Sequence, residues 1–156
     1  MIVRAIWRQN DDIATELYED LYTQQPVHKD ELTRVYETNA HYIIVDETNP
    51  CGGHLLYVEK DVPLLLAVAA AEKVIFDELV LNVEDEEEKE EKLDELAIPW
   101  KCAELIRNAK IVSEKTDYNE MVTEINVYFP TRLVERVLEV EKWRSQSWRK
   151  KEGFTR

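Results

Sequence analysis

Cysteine, histidine and aspartate side chains occur close together at one point of the sequence. Cys51 precedes Gly52 and Gly53 and lies near His54 and Asp46, so a cysteine nucleophile with a neighbouring base is one hypothesis. No glycine pattern typical of an oxyanion hole follows this cysteine, and a cysteine in a turn accounts for the same residues. The sequence therefore favours a turn cysteine over a catalytic one.

Histidine and acidic residues are also the usual ligands of metal ions. The chain has three histidines, His28, His41 and His54. The last two could face each other across a hairpin, but two histidines without a third ligand seldom form a metal centre. The acidic run 84–95 lacks the glycine and the ligand spacing of a calcium loop. The sequence predicts no metal site.

Charge is distributed very unevenly along the chain. The formal net charge is -13, which disfavours binding to nucleic acid because phosphate contacts need many lysines and arginines. Residues 84–95 contain nine acids and two lysines. They are expected to form a solvated helix with Asp85/Lys89 and Glu88/Lys92 pairs. A surface that mimics DNA and inhibits a nucleic-acid-binding protein is the alternative for this run.

The last fifteen residues, 142–156, are basic and aromatic. Stacking on single-stranded nucleic acid is one interpretation, and packing of aromatics at helical spacing is another. Docking on an acidic protein surface, including that of a second copy, suits both the charge and the aromatics. The predicted partner-binding residues are Trp143, Arg144, Trp148, Arg149, Lys150, Lys151 and Phe154.

Strands and helices alternate in the elements that must position these residues. Alternating apolar residues predict strands, and apolar residues three and four apart predict helices. Strands are predicted at 1–7, 41–45, 54–59, 74–83 and 122–129, and helices at 12–23, 29–36, from Pro99 and from Thr131. The stretch 64–71 fits either. Ile98, Cys102, Leu105 and Ala109 are expected to form the buried stripe of the helix that begins at Pro99.

These elements predict one α/β domain of the α+β type over residues 1–156, with a single mixed, mostly antiparallel sheet flanked by helices. No apolar stretch approaches the length of a membrane span, so the protein is expected in the cytoplasm. Cys51 and Cys102 lie in different settings and are expected to remain unbonded thiols.

Four stretches carry a resemblance to a known family. They are IVRAIWRQNDDIATELYEDLY, HYIIVDETNPCGGHLLYVEK, FDELVLNVED and WRKKEGFTR. The chain resembles the GCN5-related N-acetyltransferase family, in which such stretches form the first strand and helix, a hairpin, the fourth strand and the end of a helix. The resemblance implies an acyltransferase-like architecture.

The parts of that family that carry out the reaction differ here. Its coenzyme A loop uses glycines and a basic residue after the fourth strand, where this chain reads EDEEEKEEK. Its frequent general acid is a tyrosine, where this chain has Arg149. The resemblance therefore implies a non-catalytic binding or assembly protein without a cofactor, and, since degenerate members occur among tailed phages, a virion or phage-assembly role in the host cytoplasm or virion. The alternative is an N-acyltransferase that uses acetyl-CoA, with Glu78 as base and Tyr128 as acid.

Overall fold

The computed structural model describes residues 1–8, 20–21, 23–49 and 54–139. These residues form an α+β fold, as the sequence predicts, and its seven-stranded sheet is antiparallel throughout instead of mixed. The strands are β1 (Ile2–Arg8), β2 (His28–Lys29), β3 (Thr33–Glu37), β4 (His41–Asp46), β5 (Leu55–Glu59), β6 (Lys110–Asp117) and β7 (Val122–Tyr128). The helices are α1 (Leu64–Leu79), α2 (Glu86–Glu95), α3 (Trp100–Asn108) and α4 (131–139).

The N-terminal strand lies near the middle of the sheet. The strand order is β2-β3-β4-β5-β1-β7-β6, and every neighbouring pair is antiparallel. Strand β1 pairs with β7 from Ile2, opposite Tyr128, to Arg8, opposite Val122. On its other side Ala5 lies opposite Val58 of β5. The sheet therefore has β2 at one edge and β6 at the other.

Strands β4 and β5 confirm the predicted hairpin. Side chains alternate between the two faces of a strand, and β4 is buried on both: Ile44 packs with α1, and Ile43 packs with Leu21 on the opposite face. The register places His41 opposite Glu59. His54, just before β5, accepts a backbone hydrogen bond from Asp46 at the other end of the hairpin, so the two histidines do not face each other.

The predicted helix at 29–36 is wrong, because this segment forms a turn followed by β3. Asp30 Oδ1 accepts hydrogen bonds from the backbone N–H groups of Leu32 (2.9 Å) and Thr33 (3.0 Å). Such an aspartate-closed turn competes with helix formation. The residues that follow, including Val35 and Tyr36, are β-prone and fill the core.

The predicted strand at 74–83 is also wrong, because residues 64–79 form one helix. The open choice at 64–71 is settled as helix, since Pro63 starts α1 and the alanines that follow favour it. No glycine or proline separates Ala71 from Val74, so the helix continues through the β-branched residues. Helix α1 is buried between the sheet and α3, which explains its nearly continuous apolar sequence.

The remaining predicted elements agree with the structure where it describes them. Helix α3 buries Cys102 and Leu105, β7 coincides with the predicted last strand, and α4 buries Val134 and Val137. The two edge strands were not predicted: the short β2, and β6, which is exposed and has a bulge at Val112. Of the predicted helix at 12–23, the structure describes only residues 20, 21 and 23. None of the helices in the described ranges could cross a membrane.

Candidate functional site

A cluster of one histidine and two acids lies where the β2–β3 turn meets α1. His28 is on β2, Asp30 is in the turn, and Glu72 is near the middle of α1. One ligand atom from each residue lies within 4.8 Å of the others. The turn that replaces the predicted helix therefore brings together three groups that are separated along the sequence.

The turn fixes the Asp30 carboxylate by hydrogen bonds on both oxygens. His28 Nε2 lies 2.6 Å from Oδ2. Oδ1 accepts from the Leu32 and Thr33 backbone N–H groups and from Thr33 Oγ1, at 3.3 Å. Burial acts to raise the pKa of Asp30, but the hydrogen bonds from His28, Leu32 and Thr33, together with the neighbouring Glu72 carboxyl group, outweigh it, and the pKa is lowered. Asp30 is therefore a fixed anion.

Glu72 is fully buried, with 0% of its surface exposed. Neither carboxyl oxygen makes a hydrogen bond of good geometry with a described residue. Burial, and then the nearby Asp30 carboxylate, raise the pKa of Glu72 to about 10, while the Cys102 thiol lowers it. At neutral pH Glu72 is a neutral acid beside an ionised one.

A surface pocket of about 450 Å³ adjoins this cluster. Its walls come from the starts of α1 and α3, and both helices begin after a proline without a side-chain cap. His28 and Cys102 belong to the pocket lining as well as to the surroundings of Glu72. Trp100, half exposed, lies in the same lining. The cluster is therefore next to space that solvent and small solutes can enter.

The second candidate site is the acidic surface of α2. Seven of its ten residues are acidic, and only Leu93 is buried. Asp85 caps the helix by accepting a hydrogen bond from Glu87 N at 3.0 Å. The sequence correctly predicts a solvated helix here, although Lys89 pairs with Glu86 at 3.4 Å, three residues away.

Arg107 on α3 holds the acidic helix in place. Its guanidinium lies 2.8 Å from Glu90, 2.9 Å from Asp94 and 2.6 Å from Glu104. The hydrogen bond with Glu90 and the three negative charges raise the pKa of Arg107. One cation therefore ties two acids of α2 to α3, while the other acids of α2 point into solvent.

The other predicted site residues are scattered or lie outside the described residues. Glu78 is exposed in the last turn of α1 instead of on a strand, and Tyr128 ends β7. Glu78 lines a pocket with Trp7 and Glu114, to which Tyr128 does not contribute. Asp46 caps the turn after β4 through Thr48, and His54 packs edge-on against Trp7.

Two sets of predicted residues are not described by the structure. Cys51, with its glycines, is one of them. The other is the whole predicted partner-binding set, Trp143, Arg144, Trp148, Arg149, Lys150, Lys151 and Phe154.

Sequence reasoning missed the grouping of His28 with Asp30 and Glu72. One signal was present: Glu72 interrupts an otherwise apolar stretch, and an acid that is buried with such a stretch is almost always paired with another group. The described part of the chain belongs to the α+β class of proteins, and its sheet is antiparallel throughout. Neither a protein-family model, nor a curated protein, nor a solved structure matches the chain.

Proposed function

We propose that this protein is a non-catalytic binding or assembly protein that contacts a basic protein surface through α2. The observation that carries the proposal is a helix with seven acids in ten residues that is fixed to the fold by one buried leucine and one arginine. Such a helix contributes little to the core, so packing alone gives little reason for its sequence.

The acids of α2 repel one another, and this repulsion weakens the helix in isolation. A basic partner would relieve the repulsion and would be steered toward the surface by long-range attraction. Residues 142–156 of a second copy have the required basic and aromatic composition. Association between copies is the form of assembly that needs no further component, and a virion or phage-assembly role is its specific form by the resemblance of the sequence.

The test compares the size of the full chain with that of a charge-reversed variant by light scattering after gel filtration. Glu87→Lys, Glu88→Lys and Glu91→Lys reverse exposed acids of α2. The matched control makes the same charge change elsewhere on the surface, with Glu59→Lys, Glu120→Lys and Glu135→Lys.

We expect the wild-type protein and the control to associate, and the α2 variant to be smaller at the same concentration. Raising the salt concentration should also reduce association of the wild type, because salt screens exposed charges. If the α2 variant associates like the control, or if the wild type is monomeric and captures no basic protein, the acidic helix is not a binding surface.

The same helix favours a second candidate function, inhibition of a nucleic-acid-binding protein. A helical row of exposed carboxylates presents negative charge in the way a phosphate backbone does. This candidate predicts that DNA competes with the protein for its partner. Competition by DNA would support it, whereas binding that DNA leaves unchanged would support assembly.

A further inference from the structure

We propose that His28, Asp30 and Glu72 bind a divalent transition-metal ion of the zinc type, behind the pocket that His28 and Trp100 line. This site is separate from α2, and it goes beyond the proposed binding function. Its basis is the set of ligand atoms, their spacing and the buried carboxyl group that makes no hydrogen bond of good geometry.

The spacing of the ligand atoms is close to that of a bound ion. All three atoms lie within 4.8 Å of one another, whereas ligands around a tetrahedral zinc ion are roughly 3.4 Å apart. The Asp30 and His28 atoms are already closer than this, at 2.6 Å. A rotation of the longer Glu72 side chain, together with a small separation of the other two, would complete the set.

The two oxygens of Glu72 are the independent sign that something binds here. A fully buried carboxyl group that makes no hydrogen bond of good geometry is rare in proteins, because burying a polar group that is not satisfied is unfavourable. A cation between Glu72 and Asp30 would bond to both acids at once. Cations are the ligands that a buried pair of acids attracts most strongly.

The ligand types favour a zinc-like ion over calcium or magnesium. Imidazole nitrogen with carboxylate oxygens suits zinc and its neighbours, whereas calcium takes six to eight oxygens and magnesium an octahedral set. The site also has the supports typical of metal centres. The Leu32 and Thr33 N–H groups orient Asp30 from behind, and the pocket beside His28 provides an entry path.

The test measures the binding of Zn²⁺ to metal-free, untagged full chain by titration calorimetry, and the metal content after dialysis. The variants are Glu72→Gln and Asp30→Asn, which keep the shape of each side chain, and His28→Ala. The matched control is His41→Ala, which removes a histidine that packs on Tyr57 away from the cluster. Circular dichroism checks that each variant is folded.

We expect one Zn²⁺ per chain in the wild type and in His41→Ala, and a loss of at least tenfold in affinity in folded Glu72→Gln and Asp30→Asn. Mg²⁺ at millimolar concentration should not displace Zn²⁺. The proposal is overturned if the wild type does not bind Zn²⁺ at micromolar concentration, or if folded Glu72→Gln binds it as tightly as the wild type. Neither result bears on the role of α2.

Discussion

The substitution Glu72→Gln is expected to stabilise the metal-free protein at neutral pH. Glu72 is fully buried, and its pKa is raised to about 10 in the folded protein from an ordinary value of 4.5. Between these values the folded protein keeps a proton that the unfolded chain releases. The contribution of Glu72 to stability is therefore complete below about pH 4.5 and declines as the pH rises toward 10.

The magnitude follows from the difference between the unfolded pKa and the working pH. At pH 7 the difference from 4.5 is about 2.5 units, and each unit corresponds to about 1.4 kcal/mol. Glutamine has the shape of the protonated acid, and it does not titrate. Glu72→Gln should therefore raise the free energy of unfolding by about 3 kcal/mol at pH 7, and by about 1 kcal/mol at pH 5.

The assay is urea denaturation of the metal-free wild type and variant from pH 5 to 8, followed by circular dichroism. The control is Glu59→Gln, which changes an exposed acid at the end of β5. A stability gain of Glu72→Gln that does not grow with pH, or the same growth in the control, would show that Glu72 does not retain a proton in the folded protein. A destabilised variant at pH 7 would mean that Glu72 is ionised and paired in the native protein.

Three further predictions concern the rest of the chain. Arg107→Ala should lower the free energy of unfolding by about 1 kcal/mol, since the ion pairs of Arg107 are exposed. It should also speed amide hydrogen exchange in α2 more than in α3. The same increase in both helices would show that Leu93 alone holds α2 in place. Truncation after Glu141 should leave a folded protein that no longer associates; unchanged association would exclude residues 142–156 from the interface. Thiol titration of the denatured protein should count two groups, and a count of zero would mean that Cys51 and Cys102 are bonded.

The sequence was sufficient where the local pattern and the environment agree. Strand β7 alternates apolar and polar residues, and one of its faces packs on the core. The alternation alone therefore predicts a strand with one buried face. The hairpin of β4 and β5 is similarly marked by two β-prone runs around a proline and glycine turn. In both cases the local residue pattern is sufficient to identify the element as a strand.

The sequence misled where a buried element loses its periodicity. Helix α1 contacts the sheet on one side and α3 on the other, so few polar residues mark a helical face. Its second half, with Val74, Ile75 and Phe76, then has the composition of a strand. The strand was predicted wrongly because the sequence does not show that both sides of this helix are covered, which only the packed structure reveals.

The candidate cluster could not be assembled from the sequence for a related reason. The prediction of a helix at 29–36 placed Asp30 on a helical surface, and the prediction of a strand at 74–83 left Glu72 in a connection. Only the observed turn after β2 and the observed path of α1 bring the two carboxyl groups together. Two local errors therefore concealed one tertiary site.

Glu72 makes the stability and the proposed metal site separable by one substitution. If Glu72 served only the fold, glutamine would be the better residue at neutral pH. Glutamine is buried as a neutral group without the proton that Glu72 must keep when the protein folds. The proposed ion explains why this position holds a glutamate, since glutamine is a poor substitute for a carboxylate ligand. The same variant is thus expected to be more stable without metal and to bind Zn²⁺ less tightly. A gain in stability with no change in Zn²⁺ affinity would leave Glu72 as a buried acid whose presence the fold does not require.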